Sequence, residues 1–251
     1  MNLAFELSEY TDEDEHIVKT FRNKDTLCLD IFIKENDRYV MDQKIRKQLL
    51  EITNNFLDSL GVDFFIHDIV LMGSLANYNW SEYSDVDLHI LIDFDEIDTN
   101  KELIKEFFDA KKTLWNEKYN VKIKNFDVEL YVQDVNDEFF SSGVYSVLNN
   151  QWINTPEKDM TKIDDQKILN KGDQYAKMIN DLVAKSKTEN VLPKVEKLKK
   201  KLKSFRKSGL ESGGEFSYEN LTFKLLRRNG YIGKLMTLKN NIIDKKLSIT
   251  Q

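Results

Sequence analysis

Two carboxylates spaced two residues apart, Asp85 and Asp87, stand in the stretch "LMGSLANYNWSEYSDVDLHILID", Leu71 to Asp93, where charged and apolar residues alternate. Aspartate is among the poorest strand formers, so its presence there calls for a reason. Residues two apart on a strand project to the same side, roughly 6.5 Å apart along the chain, and both acids therefore reach one small volume. Carboxylates so placed repel unless a cation lies between them. Oxygen-only ligands with open positions suit Mg2+ or Mn2+, which keep waters and accept substrate phosphates as remaining ligands. A third acid from "VKIKNFDVELYVQD", either Asp127 or Glu129, completes a site for two ions.

The Gly73-Ser74 pair upstream fits the same chemistry. A strand that ends in glycine and turns into a short helix exposes backbone N–H groups, and Ser74 adds a hydroxyl. Glycine lets a phosphate approach the main chain with no Cβ in its way.

The elements that must position these residues can be read from periodicity. Apolar residues from Arg38 to Leu60 recur at helical spacing, and Gly61 supplies a stop. "FFIHDIVLM" is a short buried strand ending at Gly73. "SDVDLHILID" alternates with period two, so Val86, Leu88, Ile90 and Ile92 face one way and Asp85, Asp87 and His89 the other. A helix over Asn100 to Tyr119, capped by Thr99 or Asn100, leads to a strand with Val128, Leu130 and Val132 on one side and Asp127, Glu129 and Tyr131 on the other. These elements predict an α/β (α+β) fold, a mixed sheet flanked by helices. After Pro156 the pattern is helical, near 160–186, 191–207 and 217–241, with "SGLESGGEFS" between the last two. The expected division is a catalytic core over 1–155 and a helical subdomain over 156–251.

Charge follows that division: residues 1–160 carry a net −17 and residues 161–251 a net +11. An acidic half suits divalent metal and a basic half suits phosphate-bearing partners such as RNA. In the basic half, "KVEKLKKKLKSFRK" reads equally as a solvated helix face or a nucleic-acid surface, whereas Lys224, Arg227 and Arg228 gather beside a glycine, where guanidinium forks grip phosphate. His89 reads as a partly buried structural histidine, with contact to a phosphate or acceptor as the other reading. Tyr145 reads as core, with base stacking as the alternative. Acidic residues 12–15 read as a solvated stretch. The lone Cys28 has no disulfide or zinc partner, the apolar runs are too short to cross a bilayer, and the acidic start is unlike a signal peptide, so a cytoplasmic protein with no membrane association is expected.

"LMGS", ten residues from Leu75 to Ser84, "DVDL", and "FDVELYV" together resemble the signature of the DNA polymerase β-like nucleotidyltransferase superfamily. The resemblance covers about residues 38–135. With "ENLTFKLLRRNGYIGKL", the whole arrangement is similar to nucleotidyltransferase-like proteins of large phage genomes. The resemblance implies transfer of a nucleoside monophosphate from an NTP, such as ATP, to an acceptor hydroxyl with release of pyrophosphate. It implies Gly73, Ser74 and Ser84 on the triphosphate, Asp85 and Asp87 on two Mg2+ or Mn2+ ions, and a third acid at Glu129 or Asp127, with Glu129 slightly favoured. Lys224, Arg227 and Arg228 would serve the triphosphate or an RNA acceptor. A catalytically inactive nucleotide- or RNA-binding protein on the same fold is the alternative, and a sugar-nucleotide transferase built on the DxD pair is the weaker third.

Overall fold

The computed structural model describes residues 10–139, 141–158 and 161–249, so the sequence reading of the first nine residues lies outside it. In chain order the elements are α1 (Asp12–Lys19), β1 (Phe32–Glu35), β2 (Arg38–Met41), α2 (Gln43–Leu60), β3 (Asp68–Met72), β4 (Val86–Ile92), α3 (Lys101–Lys118), β5 (Lys122–Ile123), β6 (Phe126–Asp134), β7 (Val144–Ser146), β8 (Gln151–Asn154), α4 (Asp165–Lys185), α5 (Leu192–Gly213), α6 (Tyr218–Arg228) and α7 (Tyr231–Leu247). They form two compact units, Asn23–Asp159 and Met1–Arg22 with Met160–Gln251.

The first unit is a mixed α/β structure. Its six strands run in the order β5-β6-β4-β3-β7-β8. Among the described residues only the β4–β6 pair is parallel, and α3 provides part of the crossover that a parallel pair requires. One face of the sheet is apolar because the period-two pattern makes it so: Val86, Leu88 and Ile90 of β4 join Val128 and Leu130 of β6. These pack in one core with Leu49, Ile52 and Phe56 of α2 and Ile104, Phe108 and Trp115 of α3. Asp42 caps α2 by accepting from the N–H groups of Lys44 and Ile45, and Gly61 closes it in a left-handed conformation. Asn100 caps α3 through the Leu103 N–H. The predicted helix from Arg38 therefore starts at Gln43, and Arg38–Met41 is instead the second strand of a hairpin whose two-residue turn carries Asn36 at φ 54°.

Tyr145 is core, as the first reading had it. Its ring packs edge-on against Phe32, its hydroxyl accepts from the Met41 N–H at 3.1 Å, and it donates to Asn150 at 3.1 Å. Cys28 is buried and free.

The helical unit takes in α1 as well as α4 to α7, which differs from a division at residue 155. Residues 12–15 are at most half-buried, as a solvated acidic stretch would be, and they form the first turn of α1. Thr11 and Asp14 form a reciprocal capping box there, and acids favour a helix N-terminus. Within the unit, Arg22 pairs with Asp165 of α4 at 2.6 Å, and Asn229 donates to Asp14. Val195, Leu198 and Leu202 form the buried stripe of α5, while Lys197, Lys200, Lys201 and Lys203 are exposed. The "SGLESGGEFS" linker is mostly helix: α5 continues to Gly213 and breaks at Gly214, φ 66°. The predicted 217–241 helix is two helices divided at Gly230, φ 74°. No described helix is long and apolar enough to cross a membrane.

Candidate metal centre

β4 and β6 align so that Asp87 stands opposite Glu129 and His89 opposite Tyr131, while Met72 of β3 flanks Asp87 on the other side. Side chains of Asp87, His89, Glu129 and Tyr131 thus share the face opposite the apolar one, where Lys112 of α3 reaches the Tyr131 ring. Asp85 precedes β4 by one residue and keeps the same alternation. Carboxylate oxygens of Asp85, Asp87 and Glu129 all lie within 4.8 Å of one another, each residue half-buried. Three anionic oxygens at that separation and no soft ligand among them match the donor set of a hard divalent cation.

Of the two acids considered for the third position, Glu129 joins the group. Asp127 does not. It lies one pleat earlier, beside the β5–β6 turn, where it pairs with Lys122 at 2.6 Å and its side chain is 63% exposed. Both residues obey the same alternation, so only the β4–β6 register could separate them.

Gly73 sits against this group in a conformation, φ 73° and ψ −162°, that side chains other than hydrogen rarely adopt. A Cβ built there would fall inside contact distance of an Asp87 carboxylate oxygen and 2.9 Å from Asp87 Cγ. Glycine is thus required by the approach of Asp87, a second reason besides the phosphate reason read from sequence. The Ser74 and Ser84 hydroxyls bond each other at 2.7 Å, and Ser84 Oγ also accepts the Ser81 N–H at 3.0 Å. Ten residues apart in the chain, they fasten the turn to the entrance of β4. Since each hydroxyl carries one proton and their mutual bond uses one, a single hydroxyl proton of the pair is left for another acceptor.

Two supports of the turn escaped the sequence reading. Asn77 donates to the Gly73 carbonyl at 2.7 Å and to Ser141 at 3.0 Å, and accepts from Ser142 at 2.7 Å. Gly143 lies so close to the Ala76 carbonyl that no side chain fits there. An asparagine in a loop and a "SSG" triplet carry no signal by themselves, because the bonds that join them span more than sixty residues.

Further along the same face, His89 stacks on Tyr131 with ring centres 4.7 Å apart, and its Nδ1 is 2.9 Å from Gln133 Oε1. Burial lowers the His89 pKa to about 4; the Gln133 hydrogen bond opposes the shift and the Lys112 charge adds to it. His89 is therefore neutral at pH 7. The Tyr131 hydroxyl donates to Glu129. Its acidity is suppressed first by burial, then by that hydrogen bond and by the charges of Asp87, Glu129 and Asp85.

A second group, His67, Asp93 and Glu96, also brings ligand atoms within 4.8 Å. It lies beyond the other end of β4, and Asp93 already accepts from the Asp95 N–H at 2.9 Å and from Asn136 at 3.3 Å.

Lys224, Arg227 and Arg228 belong to α6 of the helical unit, so they come from a different compact unit than the acids. Burial holds the Lys224 ammonium below its usual pKa; Glu215 opposes this, and the charges of Arg228, Arg227 and Arg206 reinforce it. Arg206 reaches Lys224's neighbourhood from α5 by bonding Asn220 at 3.3 Å and lying 4.9 Å over Phe223. Arg228 bonds the Thr20 hydroxyl at 2.8 Å. Comparison with family models, with curated proteins and with solved structures finds no match to this chain.

Proposed function

We propose that the chain is a metal-dependent nucleotidyltransferase that moves a nucleoside monophosphate from an NTP to an acceptor hydroxyl. The observation that carries this reading is the convergence of Asp85, Asp87 and Glu129 within 4.8 Å beside a glycine whose missing Cβ makes room for Asp87. A bound Mg2+ or Mn2+ pair would supply charge neutralisation on the α-phosphate and the leaving pyrophosphate. Asp85, Asp87 and Glu129 would hold the ions, and Asp127, tied to Lys122, is left out of that role. The acceptor oxygen forms a bond to the α-phosphorus as the bond from that phosphorus to the β-bridging oxygen breaks. The hydroxyl proton passes to a carboxylate of the group. Gly73, Ser74 and Ser84 would line the phosphates, with one hydroxyl proton available from the serine pair. Catalysis on such a site is mostly placement and electrostatics.

Lys224, Arg227 and Arg228 would meet phosphate on an acceptor such as RNA, because a desolvated ammonium crowded by guanidinium groups is stabilised by a polyanion. A cytoplasmic setting accords with a single buried thiol. The test is incubation of the pure chain with labelled NTPs, Mg2+ and a panel of acceptors: RNA ends, proteins, small molecules and nucleotides. Pyrophosphate release that Asp87→Asn abolishes supports the proposal. Nucleotide binding with no turnover across the panel overturns it in favour of a binding protein.

A further inference from the structure

The geometry points to Tyr131 as a positioning residue that fixes the Glu129 carboxylate toward a divalent cation shared with Asp85 and Asp87. This rests on the metal-dependent reading above. Glu129 differs from its two companions by a methylene group and an additional side-chain torsion. Ordering a long side chain such as glutamate costs conformational entropy. Repulsion from Asp85 and Asp87 within 4.8 Å would drive this longer side chain out of the group. The Tyr131 hydroxyl opposes both effects by donating to Glu129 Oε2.

A donor can restrain a ligand only if it is itself restrained. Tyr131 stands two residues after Glu129 on the same face of β6, so its hydroxyl must lean back along the strand to reach the carboxylate. Its ring is held while it does so. His89 stacks on it at an interplanar angle of 18°, and the Lys112 ammonium lies 4.2 Å over the ring centre. Each holder is anchored in turn, His89 by Gln133 at 2.9 Å and Lys112 by Asp109 at 3.0 Å. The stretch of sheet beyond the acids is thus an outer shell for one metal ligand, and such partners set ligand orientation.

The experiment is an Mn2+ titration followed by the electron paramagnetic resonance signal of free Mn2+, on the full chain and on Tyr131→Phe, Glu129→Gln and the double variant. Phenylalanine keeps the ring and its stack, and thermal unfolding without metal checks that the fold is retained. Loss of a ligand's outer-shell partner weakens metal binding by about 10–100-fold, and Tyr131→Phe is expected in that range. In the Glu129→Gln background Tyr131→Phe should cause a smaller further loss, because the anionic carboxylate it orients is gone and only a weaker amide oxygen is left to accept from it. An unchanged affinity in Tyr131→Phe overturns the inference, as does an equal loss in both backgrounds. If the unaltered chain shows no Mn2+ binding that Asp87→Asn removes, the metal reading fails and this inference falls with it. If that binding is present and only Tyr131→Phe is without effect, the metal reading survives alone.

Discussion

Gly73→Ala separates a turn kept for backbone freedom from one kept for the sake of Asp87. At φ 73° and ψ −162° an alanine meets backbone strain of about 1–3 kcal/mol. Its Cβ would also lie 2.9 Å from Asp87 Cγ and 3.3 Å from Asp87 Cβ. Carbon atoms pack at about 3.5–4.0 Å, so the carboxylate must retreat by about 1 Å. Ligand sites tolerate only about 0.5 Å of displacement, and Mn2+ affinity should fall at least about 10-fold. Gly61→Ala is the control: it shares a positive φ, 69°, but a Cβ there has no atom within 4 Å. It should cost about 1 kcal/mol in urea unfolding and leave Mn2+ binding unchanged. If Gly73→Ala matches Gly61→Ala in both measurements, the argument that Gly73 makes room for Asp87 is refuted.

Asp127→Asn should leave Mn2+ affinity within about twofold, whereas Glu129→Gln should lower it at least about 10-fold; the same titration reads both, and the reverse ranking would return the third-ligand role to Asp127. Tyr145→Phe should destabilise the first unit by about 1–3 kcal/mol in urea, because the Met41 N–H and Asn150 lose a buried partner. Its Mn2+ affinity should be untouched. Cys28 should resist thiol reagents until the chain unfolds, since it is fully buried and burial pushes its thiol up, with the Asp30 backbone hydrogen bond opposing; rapid labelling of the native chain would contradict the packing described.

The face-by-face pattern of β4 and β6 was legible because alternation in sequence is alternation in space, and Val86, Leu88, Val128 and Leu130 left one arrangement that buries them. The cap of α3 was legible for the same local reason, Asn100 standing one residue before the helix, whereas Asp42 of α2 was hidden by apolar spacing that extends back toward Arg38. The β1–β2 hairpin was not, since its strands are four residues long, half of their residues are exposed, and they run straight into a helical pattern. Glycines misled in both directions. Gly209 read as linker yet is buried inside α5, against Ser217 and Glu219, while the break at Gly230 was hidden by apolar spacing that continues from Leu226 to Leu235 and Leu238. The choice between Asp127 and Glu129, the Asn77 bracket and the Tyr131 bond depend on register and on distant partners. No local period carries that information.

The parallel pairing of β4 with β6 also dictates when the acid group comes into being. Asp85 and Asp87 leave the ribosome well before Glu129, with α3 and the β5 turn between them. Strands joined by such a crossover cannot zip from a tight bend, and closing the intervening loop must precede any gain from their contact. A nascent or prematurely terminated chain that ends before β6 therefore carries the aspartate pair without its third member, and the three carboxylates can come together only once β6, midway along the chain, has been made.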